Sequence, residues 1–192
     1  SASLDHALEL LVLSGRRLEH AMCMLVPPAF RHDQEISQEV RAFYNYIRSF
    51  SEPWDGPAGL CFTDGRTLCA SLDRNGLRPS RYTLTADGLL YIGSESGAIV
   101  LPDSKIISRG RLGPGQMLSA DTVTGELLFD QEINEQLAAQ KPYFKWVDEN
   151  RVELKSCTSH TALVPTEDYD SLELSRQQIT HGGTKEDLEM VF

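Results

Sequence analysis

From Ala58 onward the chain changes its hydrophobic period, and that change limits the folds open to it. Apolar and polar residues alternate in short runs near 58–63, 67–72, 81–86, 89–94, 97–101, 116–120 and 126–130. A period of two marks a strand with one face buried. The joints between runs are Asp64-Gly65, Asp73-Arg74-Asn75-Gly76, Asp87-Gly88 and DTVTGE, all tight-turn chemistry. Parallel neighbours need a crossover of roughly a dozen residues or more. These strands therefore pair antiparallel.

Helical patterns flank the strand region. Ser3 is placed to cap a helix from Leu4 to about Leu13, ended by Ser14-Gly15. RLEHAMCMLV forms a second helix, stopped by Pro27-Pro28. Ile36, Val40, Phe43, Tyr44, Ile47 and Phe50 recur at helical spacing and predict a third. The stretch SEPWDGPAG then breaks the pattern. From Glu132 the sequence reads as helix again up to Pro142, followed by KPYFKWVDENRVEL, a basic and aromatic exit. KSCTSHTALVPTEDYD is polar and patternless and reads as a linker. SLELSRQQI and TKEDLEMVF follow, the second with Thr184 and Asp187 at capping-box-like spacing. That last helix reads as cut at Phe192. The class is α+β.

Composition narrows the function. Asp and Glu outnumber Lys and Arg 28 to 18, for a net charge of −10, which argues against a nucleic-acid partner. With 41% apolar residues the chain can bury a core. No apolar run approaches the roughly 20 residues that span a bilayer, and SASLDHALEL has no basic segment ahead of an apolar one. No membrane partner and no secretory signal are expected, and the cytoplasm or a plastid is the expected compartment. Cys23, Cys61, Cys69 and Cys157 show no C-x-x-C spacing, which speaks against a zinc or thioredoxin-type site. A two-residue turn at Asp64-Gly65 puts Cys61 and Cys69 on opposite faces of a hairpin, while a longer turn could pair them. Free thiols in a reducing compartment are the expectation.

Several motifs invite a chemical reading. Ser71, Asp73, Asn75 and Gly76 occupy positions one, three, five and six of a calcium loop, but Tyr82 stands where the bidentate Glu belongs and Pro79 interrupts. A turn in which Asn75-Gly76 supplies positive φ is the better reading. RLGPGQM lacks the Lys and the helix of a phosphate loop and reads as a sharp lead-in to the strand QMLSA. Asp55 and Glu95 are carboxylates that nothing in the sequence brings together. His20 and His32 have no ligand-patterned neighbours and read as surface histidines. Ser1 could act as an N-terminal nucleophile with its own α-amino group as base, yet it stands just before a helix cap, where such a nucleophile normally opens a strand.

Read together, LDHALELLVLSGR, EPWDGPAGLCFTDG, LDRNGLRPSRY, SESG and GRLGPGQM resemble the later half of the class II glutamine amidotransferase domain of glutamate synthase large subunits. The resemblance runs through LSRQQITHGGTKEDLEMVF, which is similar to the start of the following central domain. It implies part of an αββα sandwich of the N-terminal-nucleophile hydrolases. Residues 1–154 would belong to the amidotransferase domain, 155–170 to a linker and 171–192 to the central domain. The family hydrolyses glutamine at an N-terminal cysteine and channels ammonia to 2-oxoglutarate. It reduces the imine to glutamate with FMN and an iron–sulfur cluster, using electrons from ferredoxin or an NADPH-dependent subunit.

The resemblance also implies that the family's catalytic cysteine, oxyanion Asn-Gly and glutamine-binding Arg and Asp precede the first helix matched here. Cys23 falls in a helix and Cys61 and Cys69 in strands, so none stands in for the nucleophile. No catalytic, cofactor-binding or metal-binding residue is assigned, and the chain is expected to be inactive alone, its partner being the rest of the enzyme. Arg78 is assigned to tying down the DRNGLRP corner, with a place on the glutamine or tunnel side as the alternative. Two other readings stay open: an interaction module that docks on the missing half, and a hydrolase using Ser1.

Overall fold

The structure is a computed structural model and describes residues 2–31, 33–152 and 170–183. Residues up to Arg151 form one compact unit and those from Val152 a second. In the first, helices α1 (Ala2–Leu13), α2 (Leu18–Leu25) and α3 (Gln38–Ile47) precede the strands β1 (Gly59–Thr63), β2 (Thr67–Leu72), β3 (Arg81–Thr85), β4 (Leu90–Gly93), β5 (Ile106–Arg111), β6 (Met117–Asp121) and β7 (Leu127–Phe129), and α4 (Asp130–Ala138) and α5 (Tyr143–Asn150) close it. In the second, α6 (Ser171–Thr180) is capped by the Asp170 carboxylate, which accepts from Leu172 N. The expected linker up to residue 169 and the expected helix from Thr184 lie outside the described residues, as do Ser1 and His32, while Asp170, counted with the linker, caps α6.

Every strand pair is antiparallel, in two sheets ordered β1-β2-β6-β7 and β4-β3-β5. The first sheet lies in the middle of three layers. One of its faces meets the helices through Phe62, Cys69 and Met117, packed with Met22, Phe43, Tyr44, Ile133 and Leu137. Its other face carries Ala70, Leu72 and Leu118, which pack with Tyr82, Leu90 and Ile92 of the second sheet. The strand period of two therefore does double duty in β2, with odd positions toward the helices and even positions toward the other sheet. The class is α+β, as the alternation predicts.

Helix α3 shows the local logic. The Ser37 hydroxyl accepts from Val40 N at its start, and Val40, Phe43, Tyr44 and Ile47 are buried along one side. Phe43 is wholly buried. Emptying such a site with alanine costs about 3–5 kcal/mol.

Four expectations fail in instructive ways. Ser3 lies within α1, which starts at Ala2; it does not cap it. Phe50 lies past α3 and is exposed. The run at 97–101 is not a strand: GAIVL is apolar without alternation, residues 97–100 are exposed, and the run joins neither sheet. The missing strand is Ile106–Arg111, whose inward positions include Gly110. That glycine faces Tyr82 across the ladder, and its absent Cβ leaves room for the tyrosine ring. Finally, YFKWVDEN is a helix, α5, held by Tyr143 buried against Phe43 and Tyr46.

Candidate functional site: a corner built on Asp73

Three of the glycine- and proline-rich motifs meet at one end of the first sheet, around the end of β2. Asp73 is 2% exposed although it sits in a turn. Its Oδ1 accepts from Ala58 N at 3.1 Å and its Oδ2 from Asn75 N at 2.9 Å. Its main-chain N–H donates to Ala58 O, and its carbonyl accepts from both Gly76 N and Gly115 N. One residue thereby joins EPWDGPAG, DRNG and LGPGQ. Burial alone would push the Asp73 carboxyl up, but the N–H groups of Ala58, Asn75 and Gly76 together hold it below the usual carboxylate range.

The glycines are there because backbone passes close to backbone. Gly76 has φ +61°, and a Cβ built on it would stand 2.8 Å from Pro114 Cα. Gly115 has φ +68°, and its Cβ would stand 2.7 Å from Pro28. Both positions need positive φ and empty space, two demands that only glycine meets. Trp54 N donates to Leu25 O at 2.7 Å, attaching the same loop to the end of α2. Arg74 grips Asp55 with two donors, Nε at 3.0 Å and Nη2. Beside this corner opens a cavity of about 760 Å3, lined among others by Pro28, Phe30, Phe50, Trp54, Asp55 and Arg74.

The expected residues fall out as follows. Asn75-Gly76 makes the turn, and the Asp73 oxygens of the would-be calcium loop are taken by main-chain N–H groups. Asp55 is paired with Arg74, and Glu95 makes no hydrogen bond or ion pair among the described residues, so the two carboxylates do not form a working pair. Arg78 is exposed and donates to nothing among the described residues. The arginine that ties the corner is Arg74, because only it stands opposite a carboxylate. RLGPGQM is the lead-in to β6. His20 is not a surface histidine: its ring meets Phe43 edge-on at 5.2 Å, and burial, with Arg16 and Arg17 nearby, lowers its pKa to about 4. Sequence reasoning had no signal for it, since the contact joins α2 to α3.

The three cysteines among the described residues, Cys23, Cys61 and Cys69, are free, and Cys157 lies outside them. The loop between β1 and β2 is longer than the two-residue turn, Asp64-Gly65-Arg66, yet pairing Cys61 with Ala70 and Phe62 with Cys69 still sends the two thiols to opposite faces. Cys23 and Cys69 are buried, and burial pushes each thiol up to about 12. Burial also raises Cys61. At neutral pH all three are protonated, which leaves no thiolate nucleophile among them. They sit on a helix and on two faces of a hairpin, and among the described residues no cluster of His, Cys, Asp and Glu could hold a metal.

Two buried polar chains escaped the sequence reading. Glu19, 4% exposed, accepts from Ser119 Oγ at 2.8 Å and from Arg17. Burial works against its charge, but these bonds outweigh it and lower the pKa. Tyr44 OH donates to Asn134 Oδ1 at 2.6 Å, and Asn134 Nδ2 donates to Asp130. Each chain joins residues far apart in sequence, which no local pattern encodes.

The profile of the family described as "Glutamine amidotransferases class-II" matches residues 1–146, which takes in the whole corner. The chain belongs to the class II glutamine amidotransferases. It is 42% identical to the glutamate synthase [NADPH] large chain of Azospirillum brasilense over all of this chain and 13% of that one. It is 40% identical to ferredoxin-dependent glutamate synthase 1 of Arabidopsis thaliana, chloroplastic/mitochondrial, and 40% to ferredoxin-dependent glutamate synthase 2 of Synechocystis, each over all of this chain and 12% of the relative. The chain thus spans about an eighth of the length of these relatives. For an amidotransferase of this class, the corner joins β1, β2 and β6 at their loops and fixes one end of the central sheet. No helix among the described residues is long and apolar enough to cross a membrane.

Proposed function

We propose that this chain is a scaffold portion of the glutaminase domain of a glutamate synthase. The carrying observation is that the whole chain matches glutamate synthase large chains of bacterial and plant origin at 40–42% identity. In this reading the full enzyme hydrolyses glutamine and passes the ammonia to 2-oxoglutarate. The imine is reduced with electrons from ferredoxin or an NADPH-dependent subunit, in the cytoplasm or a plastid. Residues 1–154 complete the amidotransferase sandwich, 155–170 link it onward and 171–192 open the central domain. The family match ending at residue 146 and the compact unit ending at Arg151 support that division.

The chain's role here is to position, not to react. Cys23 and Cys69 are protonated and enclosed, and Cys61 stands on an outer strand with a raised pKa. The nucleophile and the groups that bind glutamine are supplied by other residues of the enzyme. FMN and an iron–sulfur cluster supply the reducing chemistry, and among the described residues the scattered thiols of Cys23, Cys61 and Cys69 do not fit a cluster. Both groups belong to the rest of the enzyme.

A glutamine-analogue electrophile and an ammonia-release assay test this reading on the purified chain. The expected result is no labelling and no ammonia, with activity appearing only when the remainder of the amidotransferase domain is present. Stoichiometric labelling of any cysteine, or ammonia release abolished by Ser1→Ala, would overturn it.

A further inference from the structure

A second cavity, of about 1140 Å3, opens at the C-terminal ends of α3 and α5, on the other side of Arg31 and Arg48 from the corner cavity. Arg31, Arg48 and Arg151 line it, Tyr46 and Trp146 form an apolar wall, and no carboxylate among the described residues lines it. That is unusual in a chain with 28 acidic residues against 18 basic ones. Elsewhere Arg17, Arg66, Arg74 and Arg109 each pair with a carboxylate. The three cavity arginines pair with none, and their side chains donate to nothing among the described residues.

Arginines at helix ends often serve the helix by meeting its last carbonyls. Here that work is done by other groups. At the end of α3, Tyr44 O, Tyr46 O and Ile47 O accept from the N–H groups of residues 48, 49 and 50, and Ser49 Oγ also donates to Tyr46 O. At the end of α5, Val147 O accepts from Arg151 N and Trp146 O from Asn150 Nδ2. The guanidinium groups of Arg48 and Arg151 are spare. Arg31 is no helix cap, but its backbone is pinned, because Arg41 donates to the carbonyls of Phe30, Arg31 and Asp33. Three fixed-charge cations around one opening repel each other and raise the local concentration of anions. Guanidinium forks match paired oxygens.

We propose that this cavity binds a small organic anion with two or more negative charges, a phosphate ester or a polycarboxylate, whose apolar body lies against Tyr46 and Trp146. The site stands apart from the Asp73 corner and does not depend on the glutaminase reading. Isothermal titration of the full chain at low salt, with AMP and citrate as probes and acetate as a singly charged control, tests it. Trp146 fluorescence in a Trp54→Phe background reports occupancy of this cavity alone. Saturable binding of AMP, of citrate or of both is expected, with none for acetate. AMP alone identifies a phosphate-ester site, and citrate alone a polycarboxylate site. Arg48→Gln and Arg151→Gln should each weaken binding about tenfold or more, the loss of one charge-assisted bond. Their circular dichroism and Tm should not change, since both side chains are exposed and unbonded. Arg78→Gln, also exposed but off the cavity, should bind as the parent does. The proposal fails if neither probe saturates below about 10 mM (a binding free energy weaker than about 3 kcal/mol). It also fails if acetate competes equally, or if Arg48→Gln and Arg151→Gln keep full affinity.

Discussion

The corner at Asp73–Gly76 and the turn at Asp87-Gly88 carry the same signature, an aspartate and a glycine between two strands. Both glycines adopt positive φ, +61° at Gly76 and +79° at Gly88. Both donate a main-chain bond back across the turn, to Asp73 O and to Thr85 O. What surrounds them is different. A Cβ at Gly76 would strike Pro114, whereas one at Gly88 would meet nothing within 4 Å. Asp73 is enclosed and bonded to two loops, while the Asp87 side chain is 47% exposed and meets only Thr85 of its own turn and the Lys105 ammonium among the described residues. The signature encodes a backbone dihedral. The weight of the turn in the fold comes from the segments it touches.

The sharpest way to break this comparison is at the two aspartates. Asp73→Ala removes a charged acceptor from two main-chain N–H groups, at Ala58 and Asn75, and should cost about 4 kcal/mol in chemical denaturation. Asp87→Ala should leave the midpoint where it is. Equal losses at the two positions would show that Asp73 holds no more than its own turn.

The glycines give the next largest contrast. Gly76→Ala combines a left-handed residue with overpacking against Pro114 and should cost about 3 kcal/mol. Gly88→Ala faces only the dihedral term and should cost about 1 kcal/mol. Gly182, in the second unit, has positive φ and open space around it and belongs with Gly88. Thermal melts of the three alanine variants check the order.

Titration offers a smaller test that sets the corner against the helix-sheet interface. Burial raises Asp130 to about 6 despite bonds from Met117 N and Asn134. A carboxyl with a raised folded pKa favours the folded state below its unfolded value, and that contribution fades as pH rises through the folded value. Asp73 is held low, so its contribution is present at neutral pH and fades only as pH falls below the ordinary carboxylate range. The parent should therefore lose stability relative to Asp130→Asn between about pH 4 and pH 6. Asp73→Asn should lose its disadvantage toward the parent only in stronger acid. A parent–Asp130→Asn difference that stays flat over that window would rule out the raised pKa.

The sequence makes one half of this fold legible and hides the other for a physical reason. Asn75-Gly76, Asp87-Gly88 and the alternation in β1, β2 and β3 are local, because dihedral preference and side-chain period act over a few residues. They were readable. β5 was not, since Ile106, Ser108 and Gly110 alternate weakly and Gly110 makes sense only opposite Tyr82. The run at 97–101 is more apolar than β5 but pairs with neither sheet. At the site, the turn at Gly76 was readable and the convergence on Asp73 was not, because Gly115 and Ala58 reach it from distant stretches of chain. Arg74, not Arg78, ties the corner for the same reason: its partner Asp55 is 19 residues away.

Amide hydrogen exchange followed residue by residue tests most directly whether Asp73 fastens three loops into one unit. The amides of Ala58, Asn75, Gly76 and Gly115 come from three segments and end on this residue. All four should exchange together, with the protection of core amides such as Cys69, and all four should speed up in Asp73→Asn while the amide of Gly88 keeps its rate. Four unrelated exchange rates in the parent, or loss of protection at Asn75 alone in the variant, would contradict the account.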